Sequence, residues 1–295
     1  MEGQQNNIMV SISCLTYNHA PYIRQCLDGF IMQQCDFDFE VLIHDDASTD
    51  GTADIIKEYQ QKYPEIIKPF FQNENQWSKG IRGMNQKFNY PRALGKYLAM
   101  CEGDDYWTDP LKLQKQVSFL EKNTDYILVS CKTCEINIKA NKTRIIDWHT
   151  QSFVFKNILK NDFLNNELNT ILNGDTFLLY YLENFGEITS MDFTGGVYRI
   201  TGDGIWTSLD INEKYSISQK SYNSMLKFFK EHNYKAAYIK VKKTLFDLNL
   251  DNYKRERTKS VLEFIDLLWQ VIKVHDFKRF KSLLVTLPIV KKIGK

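Results

Sequence analysis

Glu102, Gly103, Asp104 and Asp105 follow directly on the apolar run of residues 97–101. An uninterrupted apolar run of that length is the pattern of a strand buried on both faces, as in a parallel sheet. Three carboxylates within four residues repel one another, and each raises the others' pKa unless a cation neutralises them. Carboxylate oxygens are the ligands that Mg²⁺ and Mn²⁺ prefer, and Mg²⁺ is commonly held by one or two carboxylates together with substrate phosphates. Open α/β sheets bind ligands beyond the carboxyl ends of their strands. The spacing therefore points to a divalent-metal site for a phosphorylated substrate. The competing explanation is an acidic surface turn that also caps the helix beginning near Asp109-Pro110.

Two earlier strand ends carry related chemistry. Residues 10–15 end in Thr16-Tyr17-Asn18, and residues 39–44 end in Asp45-Asp46-Ala47-Ser48. An aromatic such as Tyr17 on a strand-end loop can stack on a nucleobase, worth about 1–3 kcal/mol per base, or can simply cover the sheet edge. Asp46 can accept from a base N–H, although an Asp-Asp-Ala-Ser run also serves as a turn and helix cap. The functional reading gains from three such clusters falling at one edge of one sheet.

The elements that hold these clusters alternate. Strands are predicted over residues 10–15, 39–44, 66–72, 97–101 and 126–131, with helices over 22–34, 52–62 and 111–122 and a short helix ending at 92–96. Such alternation describes βαβ units, a largely parallel sheet and helices on its faces. The polar loop of residues 73–85 is long for a connection between packed elements, which marks it as a functional candidate. Residues 135–200 mix strand and helix less regularly. Beyond Ser216 apolar residues recur every three or four positions, as a helix requires. The division expected is therefore a catalytic α/β domain over 1–215 and a helical, basic extension over 216–295.

Composition is that of an ordinary globular chain, with 43% hydrophobic and 25% charged residues. No N-terminal basic patch precedes an apolar run, so no signal peptide is expected, and no stretch approaches a membrane span. Six scattered cysteines read as reduced core residues. Cys131 and Cys134 have the spacing of half a zinc site without a second pair. The net charge of +2 is unevenly spread: residues 227–295 hold 17 Lys and Arg against 7 Asp and Glu, a net of +10, and the remainder carries −8. Five histidines show no ligand spacing, and no phosphate-binding Gly-rich loop occurs, which argues against an ATPase or a dinucleotide enzyme.

Residues 10–18 (VSISCLTYN), 41–52 (VLIHDDASTDGT) and 95–107 (GKYLAMCEGDDYW) together resemble family 2 glycosyltransferases of the GT-A fold, in that family's order and spacing. The resemblance spans roughly residues 8–205. It implies a Rossmann-like, mostly parallel central sheet flanked by helices. It also implies an inverting transferase that uses a nucleotide-diphosphate sugar, usually UDP-linked, with Mn²⁺ or Mg²⁺. By position, Tyr17 and Asn18 would contact the nucleotide and Asp46 would hydrogen-bond the base. Glu102 would lie toward the ribose, where the family usually has Asp, and Asp104 and Asp105 would reach the metal. The general base for the acceptor hydroxyl would be Asp175, just ahead of a helix, where it also suits an N-cap. Arg199 would contact the diphosphate or serve the sheet, and Thr201 stands where relatives often carry His. Lys79 and Arg82 in the long loop are further candidates for phosphate contact, or are simply solvated.

Relatives of this kind often build cell-surface polysaccharide, such as capsule or lipopolysaccharide, on a glycan or lipid-linked acceptor. The expected location is thus cytoplasmic, on the inner face of the plasma membrane, with no nucleic-acid partner. The basic tail at residues 277–295 suits contact with an anionic membrane, and equally suits a solvated helix face. Two other functions remain open on the residues: a nucleotidyltransferase, which would want a basic Gly-rich loop after the first strand, and a non-catalytic sugar-nucleotide-binding relative.

Overall fold

The computed structural model describes residues 8–159, 171–202, 204 and 206–255. They group into two compact units, one running to residue 159 and resuming at 174–209, the other formed by 171–173 and 210–255.

The first unit is built on a nine-stranded mixed sheet. Strands β1 (Val10–Thr16), β2 (Phe39–Asp45), β3 (Ile67–Phe71) and β4 (Tyr97–Met100) lie parallel in the order β3-β2-β1-β4. Their side chains are almost wholly buried in β1, β2 and β4, as strands of a parallel sheet with both faces covered are. Thr16 pairs with Asp45, and Ser13 with Met100. That register brings the ends of β1, β2 and β4 side by side. Helices α1 (Ile23–Ile31), α2 (Thr52–Lys62) and α3 (Lys112–Lys122) each bury an apolar stripe. Phe30 of α1 meets Trp107 edge-on, with ring centroids 4.9 Å apart.

Beyond β4 the sheet continues through β8 (Val154–Lys156), β6 (Tyr126–Asn137) and β9 (Glu187–Ile200) to the two-residue β5 (Tyr106–Trp107). Strand β7 (Lys142–Ile146) pairs antiparallel with β6. Strands β6 and β9 run parallel through register shifts near Cys131 and Thr133, irregularities of the kind that re-aim side chains along a strand. Tyr106 pairs with Val197. The chain leaving the acidic turn is thereby pinned beside the end of β9. Helix α4 (Gly174–Leu182) precedes β9.

The short helix expected to end at residues 92–96 is instead a π-helical turn, Asn85–Asn89, followed by a 3₁₀ turn, Tyr90–Arg92. The cause is competition for backbone groups. Buried Asn89 donates to the Ser13 hydroxyl and the Cys14 carbonyl, and Arg92 donates to the carbonyls of Phe88, Lys68 and Ile43. Side chains thus tie this segment across β1, β2 and β3. All six cysteines are free.

The second unit contains α5 (Ile211–Glu231) and α6 (Lys235–Arg255). Asp210 caps α5 reciprocally: its carboxylate accepts from the amides of Asn212 and Glu213, and the Glu213 carboxylate accepts from the Asp210 amide, an arrangement that satisfies otherwise orphaned donors. Among the described residues no helix is long and apolar enough to cross a membrane. The basic tail at 277–295 lies outside the described residues.

Candidate functional site

Strand β4 ends in a turn of four residues closed by the Asp105 amide donating to the Glu102 carbonyl at 3.0 Å. The Gly103 amide donates to Leu15 O of β1 at 2.9 Å, which presses the turn against the neighbouring strand. A Cβ on residue 103 would lie 2.8 Å from Thr16 Oγ1 and 2.9 Å from His19 Nδ1. Only glycine fits that approach.

The three carboxylates of the turn have different surroundings. Asp105 is 1% exposed; its Oδ1 accepts from the Arg199 amide at 2.9 Å, and its Oδ2 lies 4.0 Å from His149 Nδ1. Burial, then repulsion from Asp104, raises its pKa. This carboxylate faces the interior. Asp104 faces the other way: its Oδ2 lies 4.0 Å from His19 Nε2, and its Oδ1 has no partner although it is shielded from solvent. Glu102 is exposed to solvent. Desolvation, then repulsion from Asp104 and Asp175, pushes it up to about 7.

Asp175, at the start of α4, is thus near enough to Glu102 at the end of β4 for its charge to be felt there. Asp175 is exposed in the first turn of that helix, where its Oδ1 accepts from the Thr176 amide at 2.8 Å.

On the β1 and β2 side, Tyr17 is exposed. Asn18 adopts a left-handed backbone (φ 53°). Its amide donates to Ser48 Oγ at 2.9 Å, and its Oδ1 accepts from the Thr49 amide at 2.8 Å. Asn18 thus joins the two strand-end loops. Asp46 is 6% exposed, and its two oxygens accept from the amides of Gln76 and Trp77 at 2.7 and 3.0 Å. The Asn75 side chain donates to the Asp46 carbonyl. Both carboxylate oxygens therefore hold the long loop. Within that loop Lys79 pairs with Glu74. Arg82 lies 3.7 Å over the Trp77 ring and donates to the Trp77 and Ile81 carbonyls.

Arg199, near the end of β9, is also engaged. Its guanidinium donates to the Asp104 carbonyl and to Gln25 Oε1, and lies 4.2 Å over the Tyr106 ring and 5.3 Å over the Tyr22 ring. His149 stacks on Tyr198 with centroids 4.0 Å apart, and burial lowers its pKa to about 4. Sequence reading passed over Thr16, His19 and His149. Thr16 and His19 flank the Tyr17-Asn18 cluster and carried a positional signal. His149 sits in an irregular stretch and carried none.

Among the described residues no three His, Cys, Asp or Glu side chains converge as a self-sufficient metal site. The orphaned Asp104 Oδ1, with Glu102 close by, nevertheless suits a hard cation that takes its remaining oxygens from a substrate. The residues fit such an ion.

The description "glycosyl transferase family 2" matches residues 11–179, and the chain belongs to that family. An uncharacterized protein of Mycobacterium bovis is 35% identical over 214 residues, covering 68% of this chain and 61% of its own. The chain thus spans about 61% of the length of such curated relatives. The putative teichuronic acid biosynthesis glycosyltransferase TuaG of Bacillus subtilis is 34% identical over 112 residues, 38% of this chain and 42% of its own. The crystal structure of S. aureus TarS residues 1–349 with UDP-GlcNAc superposes with a TM-score of 0.61 at 16% identity, covering 94% of this chain and 84% of that one. The shared fold is GT-A-like.

Proposed function

We propose that this protein is an inverting glycosyltransferase that moves a sugar from a nucleotide-diphosphate donor, UDP-linked by preference, to a hydroxyl of a glycan or lipid-linked acceptor. The observation that carries the reading is the Asp104 carboxylate at the carboxyl end of β4, whose Oδ1 is shielded from solvent yet has no protein partner, in the turn that also carries Glu102. Tyr17 stacks on the base at the exposed edge, and Glu102 lies toward the ribose. Asp104 is the carboxylate that would hold Mn²⁺ or Mg²⁺, while Asp105, turned inward, supports the turn from behind. A bound divalent ion would neutralise the charge that develops on the departing diphosphate. Asp175 takes the proton of the acceptor hydroxyl as its oxygen bonds to the anomeric carbon and the bond to the diphosphate oxygen breaks on the opposite face. Family membership and the likeness to TuaG support a role in cell-surface polysaccharide synthesis at the inner face of the membrane. The test is UDP release from a panel of UDP-sugars with and without Mn²⁺, in wild type and Asp175→Asn. Metal-dependent release that Asp175→Asn abolishes supports the proposal. Nucleotide binding without turnover on any donor and acceptor would overturn it in favour of a binding protein.

A further inference from the structure

We propose that Arg199 is a positioning residue that aims the Asp104 carboxylate, and that it does not touch the donor. This rests on the reading of Asp104 as the cation-holding group. Arg199 grips the acidic turn at two points from two parts of itself. Its backbone amide donates to Asp105 Oδ1 at 2.9 Å, and its guanidinium donates to the carbonyl of Asp104. The same guanidinium reaches Gln25 Oε1 on α1. Strand β9, the acidic turn and helix α1 are therefore joined through one side chain.

The rings of Tyr106 and Tyr22 at 4.2 and 5.3 Å settle the plane of the guanidinium, since a cation over an aromatic face is held by the ring quadrupole. Fixing the Asp104 carbonyl on one side and the Asp105 carboxylate on the next residue fixes the peptide between them. The direction of the Asp104 side chain follows from that peptide. Its Oδ1 has no other protein group to hold it, and its Oδ2 is 4.0 Å from His19, beyond hydrogen-bond reach. Backbone support is what remains to aim it. A lysine could keep the charge but not the planar fork that reaches two oxygens while stacked on two rings.

Calorimetry on the full chain separates positioning from contact. UDP is titrated first in EDTA and then with Mn²⁺, for wild type, Arg199→Lys, Arg199→Ala and Gln25→Ala, and Mn²⁺ binding is followed in parallel by electron paramagnetic resonance. In both Arg199 variants, metal-free UDP affinity stays within about twofold of wild type, while the gain in affinity on adding Mn²⁺ shrinks by about 10- to 100-fold, the usual cost of losing support behind a metal ligand. Gln25→Ala, which cuts the same clamp from the far end, loses part of that gain. Should Arg199→Ala fail to fold by thermal melting, the Lys variant and Gln25→Ala carry the comparison. A fall in metal-free UDP affinity would place Arg199 on the nucleotide and overturn the proposal. So would a metal-dependent gain that survives in Arg199→Lys and Gln25→Ala. A wild type that shows no gain with Mn²⁺ would overturn the cation reading itself, an outcome visible before any variant is compared.

Discussion

The Asp46→Asn substitution tests how the long loop of residues 73–83 is held. In the native protein both Asp46 oxygens accept backbone N–H groups, from Gln76 at 2.7 Å and Trp77 at 3.0 Å. Asparagine keeps one accepting oxygen and sets an NH₂ group against an amide that is itself a donor. One charge-assisted hydrogen bond is lost and the other becomes neutral. A hydrogen bond to a charged group is worth about 1.5–3 kcal/mol, and at about 1.4 kcal/mol per factor of ten that loosens the loop about 10- to 100-fold. Hydrogen exchange reads this directly, since the Gln76 and Trp77 amides are the ones released. Their protection falls by that factor in Asp46→Asn, while protection along β1 and β2 is unchanged. Unchanged exchange at both amides would refute the assignment of Asp46 as the loop's anchor and return it to the base-reading role that the sequence resemblance implies.

Gly103→Ala places a methyl group 2.8 Å from Thr16 Oγ1 and 2.9 Å from His19 Nδ1. Overpacking of this kind costs about 1–3 kcal/mol, so thermal melting falls by several degrees and metal-dependent UDP affinity weakens together with it. Asp175→Asn leaves UDP affinity intact and removes turnover, which single-turnover kinetics with saturating donor will separate. His44, stacked at 4.5 Å on Phe88 and paired with the Gln72 amide group at 3.0 Å, has its pKa lowered by burial to about 4. Its neutral form is the one the fold accepts. The stability it secures is complete above the unfolded value near 6.5 and is lost as pH falls toward about 4, amounting to about 3 kcal/mol. His44→Phe should flatten that part of the stability profile in denaturant melts between pH 7 and pH 4.

Much of the frame is legible in the sequence. The apolar run of β4 reads as a strand covered on both faces, the alternation of apolar and small residues in β1 and the run ahead of Asp45 read as strands beside it, and the polar clusters that end them fall at one edge because parallel register puts them there. What sequence could not convey was direction. Asp104 and Asp105 are adjacent and chemically alike, yet the Asp104 carboxylate has an oxygen without a partner while Asp105 is locked in place by the amide of Arg199, a residue far along the chain. Asp46 shows the same limit, because its partners are backbone amides in a loop and amides carry no sequence signal. Strand β9 was obscured by its register shifts against β6, which break the alternation that marks a strand. The helix expected to end at residues 92–96 gives way to tight turns over 85–92 because Asn89 and Arg92 donate to carbonyls of three strands rather than continuing a helix.

The most direct measurement is isothermal titration of UDP into wild type and Asp104→Ala, each with EDTA and then with Mn²⁺ or Mg²⁺. The account predicts that the divalent ion strengthens UDP binding in wild type and that Asp104→Ala abolishes the gain while melting cooperatively. Equal UDP affinity with and without either ion in wild type, or a gain that persists in Asp104→Ala, would contradict it.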